Sequence, residues 1–236
     1  MDFIDKNDKM VGFEDVNIET MAVPFIRIAQ DLSPQLKKNR PEYIEGLEVG
    51  DIFNSVSGKV YGKEIEFTPV KFEHIFTEWK PDRGGFVGYH SVQRAYEIAT
   101  VTTFNKMKTE EGNDLEETYM YYVIIKGHEK DGVAIISASS SMIKQAKKLN
   151  TMMHMQYFSN GEKALPYHQI YSAKSVLAQN DKHEWYTLEF LFKSFVDEPM
   201  YLAAKEQRDL IADGRTTVDY AALEDKTEKI APSTPY

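Results

Sequence analysis

The sequence contains no cysteine, which excludes a disulfide, a thiolate nucleophile and a cysteine-bound zinc, and fits a reducing compartment. It also lacks positive net charge. With 28 Lys and Arg against 37 Asp and Glu, the formal charge of -9 argues against coating duplex DNA through bulk electrostatics and leaves only a local basic channel for an anionic partner. Apolar runs are short: stretches such as Val123-Ile124-Ile125 and Val133-Ala134-Ile135-Ile136 fall far below the roughly 20 residues that cross a bilayer. The first residues carry neither the basic start nor the apolar stretch of about 7–15 residues that defines a signal peptide. A soluble protein without membrane contact is therefore expected.

Catalytic signatures are equally scarce. Gly62-Lys63 has no glycine-rich loop before it and no Ser/Thr after it, so it is not a phosphate loop, and no dinucleotide fingerprint follows any strand. The glycines of Arg83-Gly84-Gly85-Phe86-Val87-Gly88 lead directly into no helix with a good N-terminus, which argues against phosphate binding there. His74, His90, His128, His154, His168 and His183 are scattered, without ligand spacing on one helix face. Glu78 and Asp82 beside Trp79 read as a solvated edge in preference to a metal site. No catalytic residue, metal or cofactor is expected, and an enzyme with a dispersed active site, such as a metal-dependent nuclease, stands as the third-ranked reading.

What is present suits packing: 236 residues with 42% hydrophobic and 12% aromatic content can bury one large core. Residues 1–20, with Asp2, Asp5, Asp8, Glu14, Asp15 and Glu19, read as a mobile acidic arm. Residues 21–213 read as one binding domain, and 214–236, with Glu224, Asp225, Glu228, Pro232 and Pro235, as a mobile tail. Within the domain, Asp51–Val56 is a short strand and Glu64–Lys80 a long one. In that long strand Ile65 and Phe67 hold one parity and Val70, Phe72 and Phe76 the other, which requires a bulge or bend near Pro69. Thr100–Phe104 is a further candidate strand. Tyr119–Lys126 and Val133–Ser137 form a hairpin, Trp185–Phe195 another strand. Ile143, Ala146, Leu149 and Met153 mark an amphipathic helix to about Met155, and Glu198-Pro199 opens a second one through about Ala212. The fold expected is a β-dominated α+β protein, a curved barrel like that of oligonucleotide-binding (OB) proteins with helical insertions. An open sheet or sandwich fits nearly as well.

The pattern that carries function is the interleaving of aromatic and cationic side chains around the glycine loop. Rings stack on unpaired bases while cations follow phosphates, each stack contributing about 1–3 kcal/mol. Tyr61, Lys63, Lys71, Trp79, Lys80, Arg83, Phe86, Tyr89, His90 and Arg94 are the candidates, with Tyr121 as a second aromatic position and Lys144 extending a basic path along the first helix. Phe72 reads as core. Trp79, at a strand end before Lys80-Pro81, reads as half exposed. Of Tyr119/Tyr121 and Met120/Tyr122, on opposite faces, either pair could line a groove, with core packing expected of one.

Pro24-Phe25-Ile26-Arg27-Ile28, Ser33-Pro34, Tyr43-Ile44-Glu45-Gly46, Gly50-Asp51-Ile52-Phe53-Asn54 and the block from Glu78-Trp79-Lys80-Pro81 to Gly88-Tyr89-His90 resemble single-stranded-DNA-binding proteins of bacteriophage replication modules. The resemblance spans roughly residues 23–195. It implies an OB-like core, the cytoplasm of an infected bacterium, and protection of single-stranded DNA during replication or recombination by a monomer or homodimer. It also implies recruitment of phage or host replication proteins through an acidic tail ending in an aromatic residue. Tyr236 matches that end, while Lys226, Lys229 and the neutral Ala231–Pro235 depart from it. The competing reading is a phage structural or host-interaction protein that contacts another protein.

Overall fold

The computed structural model describes residues 22–103, 106–181, 183–213, 218 and 220. Eleven strands and three α-helices follow one another as β1 (Phe25–Ile28), β2 (Ile52–Asn54), β3 (Val60–Gly62), β4 (Glu64–Trp79), β5 (Phe86–Ser91), α1 (Val92–Ile98), β6 (Val101–Thr103), β7 (Lys106–Lys108), β8 (Asp114–Ile125), β9 (Val133–Ser139), α2 (Ile143–His154), β10 (Gln169–Gln179), β11 (Glu184–Phe195) and α3 (Glu198–Ala212). The arm 1–20 and the tail, apart from Val218 and Tyr220, lie outside the described residues.

All strands join one strongly curled half-barrel sheet in the order β11-β10-β4-β8-β9-β1-β2-β3, with β5 added to β4 and β6-β7 added to β8. The β-dominated curved barrel with helical insertions is thus the architecture. Its spine is the antiparallel pair β4 and β8, and its curl begins where the sequence changes phase: the register slips between Pro69 and Lys71, so Pro69 faces Val123 while Lys71 faces Tyr122. One extra residue on β4 bends the strand and raises its twist.

Where β11 meets the end of β1, a side chain takes the place of a strand. The Gln30 amide accepts from Tyr186 N at 2.8 Å and donates to Tyr186 O at 2.9 Å. Gly50 makes room for this closure, since its φ of +80° and the Tyr186 ring over its Cα leave no space for a Cβ.

Strand periodicity divides β8 between two cores. Tyr119, Tyr121, Val123 and Ile125 pack with Ala146, Leu149 and Met153 of α2 and with Phe67, Tyr171, Leu188 and Phe190. Met120, Tyr122 and Ile124 pack on the opposite face with Met200, Ala204 and Ile211 of α3. Both faces of this segment are core, which removes the expectation that one of them lines a groove. A third, smaller core of Phe76, Ala95, Met107 and Leu115 holds α1 against the far end of β4.

Candidate nucleic-acid interface

The structure separates the residues that the sequence interleaves. Tyr61 is half-buried at the mouth between β3 and β4, its ring centroid 5.3 Å from that of His128, with Lys59 Nζ 5.9 Å away. It lines an open groove of about 490 Å³ with Lys59, Ile65, Ile125, Lys126 and His128. Lys63 points elsewhere, pairing with Asp51 at 3.0 Å and lying 5.8 Å over Tyr186. Tyr121 is fully buried, its hydroxyl donating to Ala146 O and Asn150 Oδ1 of α2 at 3.0 and 2.8 Å. It cannot stack on a base, because α2 occupies the face onto which it points. Lys144 is exposed on α2.

Most of the remaining candidates lie on or beside the β4–β5 hairpin, and there too the expectation for Trp79 is corrected. Its side chain is 3% exposed: the indole Nε1 donates to Thr77 Oγ1 at 2.9 Å, Phe86 meets the ring edge-on at 5.3 Å, and the Arg83 guanidinium lies 4.7 Å from the ring centroid. The hairpin tip folds back over the ring. Arg83 donates to Glu116 at 2.6 Å, and Ser140 Oγ donates to the other oxygen of the same carboxylate. Asp82, Arg83 and Ser140 are the described non-glycine residues with positive φ (55°, 56° and 48°), so the left-handed backbone that glycine does not relieve is concentrated where Glu116 holds the tip. Lys80 is exposed beside this tip, and Arg94 pairs on α1 with Glu97 at 3.2 Å. Glu78 is buried, not a solvated edge: it holds His90 Nε2 at 2.7 Å and accepts from Asn113 Nδ2 at 2.6 Å.

Register sorts the hairpin residues onto opposite faces. Tyr89 pairs with Thr77 and Phe86 with Trp79, on the α3 side with Lys71 and Glu73, whereas His90 pairs with Phe76 on the α2 side. A sequence run that alternates rings and cations therefore cannot form one surface on a strand of period two.

On the α3 side two residues of the tail, Val218 and Tyr220, are packed. Tyr220 stacks on Tyr89 with centroids 3.8 Å apart and planes 24° apart, and Val218 and Tyr220 rest on the α3-side core. Its hydroxyl donates to Glu73 Oε2 at 3.1 Å, Tyr122 donates to the same oxygen at 2.8 Å, and Lys71 Nζ lies 2.7 Å from Oε1. Burial opposes the charge on Glu73, but the bonds from Lys71, Tyr122 and Tyr220 outweigh it and hold the carboxyl below its ordinary 4.5. Burial first, and Glu73 second, push the Tyr220 hydroxyl up to about 12.

A group whose folded-state value is depressed stabilises the fold above its ordinary value and loses that contribution as pH falls through the depressed one. Glu73→Gln is expected to cost about 1–2 kcal/mol at pH 7. In thermal melts the gap between Glu73→Gln and the parent should close as pH falls below 4.5.

On the α2 side the structure assembles an aromatic row that the sequence reading did not single out. Phe72 meets Tyr119 edge-on at 5.3 Å, Tyr119 meets His74 at 4.7 Å, His74 meets Phe76 at 6.0 Å, and Phe76 meets Tyr96 at 5.9 Å. Phe72, expected in the core, is 41% exposed, and Tyr96 is 59% exposed, so the row is open at both ends, while Tyr119 and Phe76 between them are buried. The positions 72, 74 and 76 share one parity after the bulge, and Tyr119 is the cross-strand partner of His74. Tyr96 arrives on α1, whose N-cap Ser91 accepts from Arg94 N at 3.2 Å and whose Ala95 is buried against Phe76. The parity was legible in β4; the seven-residue helix that brings Tyr96 to it was not. Lys147 of α2 flanks the row 6.0 Å from the Tyr119 ring. Among the described residues, no helix is long and apolar enough to cross a membrane, and no three His, Asp or Glu gather as a metal site.

The fold and site define a curled β-sheet protein, helix-packed on both faces, with an aromatic row open at its two ends beside a lysine-bearing helix. Residues 1–217 match the Pam3 phage gp34-like protein family, and the chain belongs to it. No curated protein and no solved structure matches the chain. The family description names a phage lineage and no activity, so the functional reading rests on geometry.

Proposed function

We propose that the protein binds single-stranded DNA in the cytoplasm of an infected bacterium, as part of phage replication or recombination. The observation that supports this is the row Phe72–Tyr119–His74–Phe76–Tyr96, exposed at its ends and flanked by Lys147 of α2, the helix that also exposes Lys144. Unpaired bases present the flat faces that such rings take up, while paired bases do not, so the row discriminates against duplex without net positive charge. The test is a gel shift of labelled single-stranded DNA, duplex DNA and RNA over a range of salt. Micromolar or tighter retention of single strands, weakening as salt rises, is expected; no retention at low salt, or equal retention of duplex, would overturn the reading.

A second reading, contact with another phage or host protein, draws on one specific feature. The bridge between Tyr157 and Lys163 closes a small hairpin at which Met155, Tyr157 and Leu165 are all exposed, while Phe158 packs against His168 and Phe195. A pull-down that recovers a stable partner and is lost with Tyr157→Ser, from a protein that shifts no single strands, would favour it.

A further inference from the structure

The geometry points to Glu117 as the residue that decides which bases the aromatic row accepts, selecting those with an exocyclic amino group (cytosine, adenine, guanine) over thymine. The inference rests on the single-strand reading. Glu117 sits on β8 as the cross-strand partner of Phe76, in the middle of the row, with a side chain 32% exposed. Its Oε1 lies 3.0 Å from His74 Nε2, and its Oε2 lies 3.7 Å from Lys147 Nζ. Burial first, and the neighbouring Glu117 carboxylate second, push the titration of the Tyr119 hydroxyl up. His74 Nε2 is buried and makes no hydrogen bond of suitable geometry, so its 3.0 Å approach to Glu117 does not occupy the oxygen with a well-aligned donor.

Two consequences follow from a carboxylate in this position. It repels phosphate, so a bound strand must keep its backbone away from Glu117, toward the exposed lysines of α2, and turn its bases toward the row. And a carboxylate accepts only: with about four lone-pair sites it can still receive an N–H from a stacked base. Cytosine, adenine and guanine each offer an amino group on the Watson–Crick edge. Thymine offers one ring N–H between two carbonyl oxygens, whose lone pairs would confront Glu117. A charge-assisted N–H···O⁻ bond for one base, set against oxygen–oxygen repulsion for the other, corresponds to about tenfold in affinity.

The experiment compares the dissociation constants of fluorescein-labelled dC20 and dT20, two pyrimidine strands of similar stacking, for the full chain, for Glu117→Gln and for Glu117→Ala, with thermal melts confirming that each variant is folded. The parent is expected to bind dC20 about tenfold more tightly than dT20. Glu117→Gln, which can donate to the thymine oxygens as well as accept, should bring the two within about twofold, as should Glu117→Ala. Equal binding of dC20 and dT20 by the parent, or a preference that survives both substitutions, would overturn the role of Glu117 while leaving single-strand binding in place. Binding of neither strand by the folded parent would overturn both.

Discussion

Trp79→Ala is expected to destabilise the protein by about 3–5 kcal/mol, the range for removing a large buried aromatic side chain. The ring is closed in on every side: Phe86 at its edge, Arg83 over its face, and Thr77 at its Nε1. Thr77 Oγ1 is in turn 3.1 Å from Thr118 Oγ1, so losing the indole disturbs a buried hydroxyl pair that links β4 to β8. Arg83 loses the surface it rests on while remaining tied to Glu116, and the left-handed residues Asp82 and Arg83 lose part of what holds them. Against a total stability of about 5–15 kcal/mol, this is a large fraction. Urea denaturation followed by circular dichroism measures it. Binding to single-stranded oligonucleotide, normalised to the folded fraction, should be unchanged. A variant with the parent's midpoint and no affinity would return Trp79 to the interface.

The contrast between Trp79 and Phe72 shows what could be read along the chain and what could not. The phase change at Pro69, the hairpin of β8 and β9, and the apolar stripes of α2 and α3 are each local: two to four residues at fixed spacing decide them, and the bulge, register and helix bounds of the structure follow. Strand β10 escaped notice because Ser172, Ala173 and Ser175 dilute its apolar signal, although it is buried on both faces for its first five residues. Exposure is a different matter. Whether Trp79 is covered depends on the β4–β5 tip folding back, and whether Phe72 is covered depends on a neighbouring strand and a helix many residues away. Linear proximity of rings and cations reported a hairpin with two faces, because β4 and β5 send successive side chains to opposite sides. The row on the α2 side is built from three separated segments, β4, β8 and α1, and only the folded sheet brings them together.

That row yields the largest expected effect on binding. Phe72→Leu combined with Tyr96→Ala should weaken binding to single-stranded DNA by about 2–6 kcal/mol, at about 1–3 kcal/mol per stacked base, or at least roughly thirtyfold in dissociation constant. The structural cost is small by design of the pair. Tyr96 is 59% exposed and meets Phe76 edge-on, and leucine at 72 keeps apolar contact with Tyr119 and Tyr121 while removing the ring. His74 and Phe76 lie between the two positions, so the single effects should add. The salt dependence separates stacking from charge. Rings release no counterions, so the double variant should shift the plot of log affinity against log salt downward and leave its slope unchanged, whereas Lys144→Ala with Lys147→Ala should flatten the slope. An unchanged affinity in the folded Phe72→Leu/Tyr96→Ala protein would show that bases, if bound, stack elsewhere, with the Tyr61–His128 groove as the next surface to test.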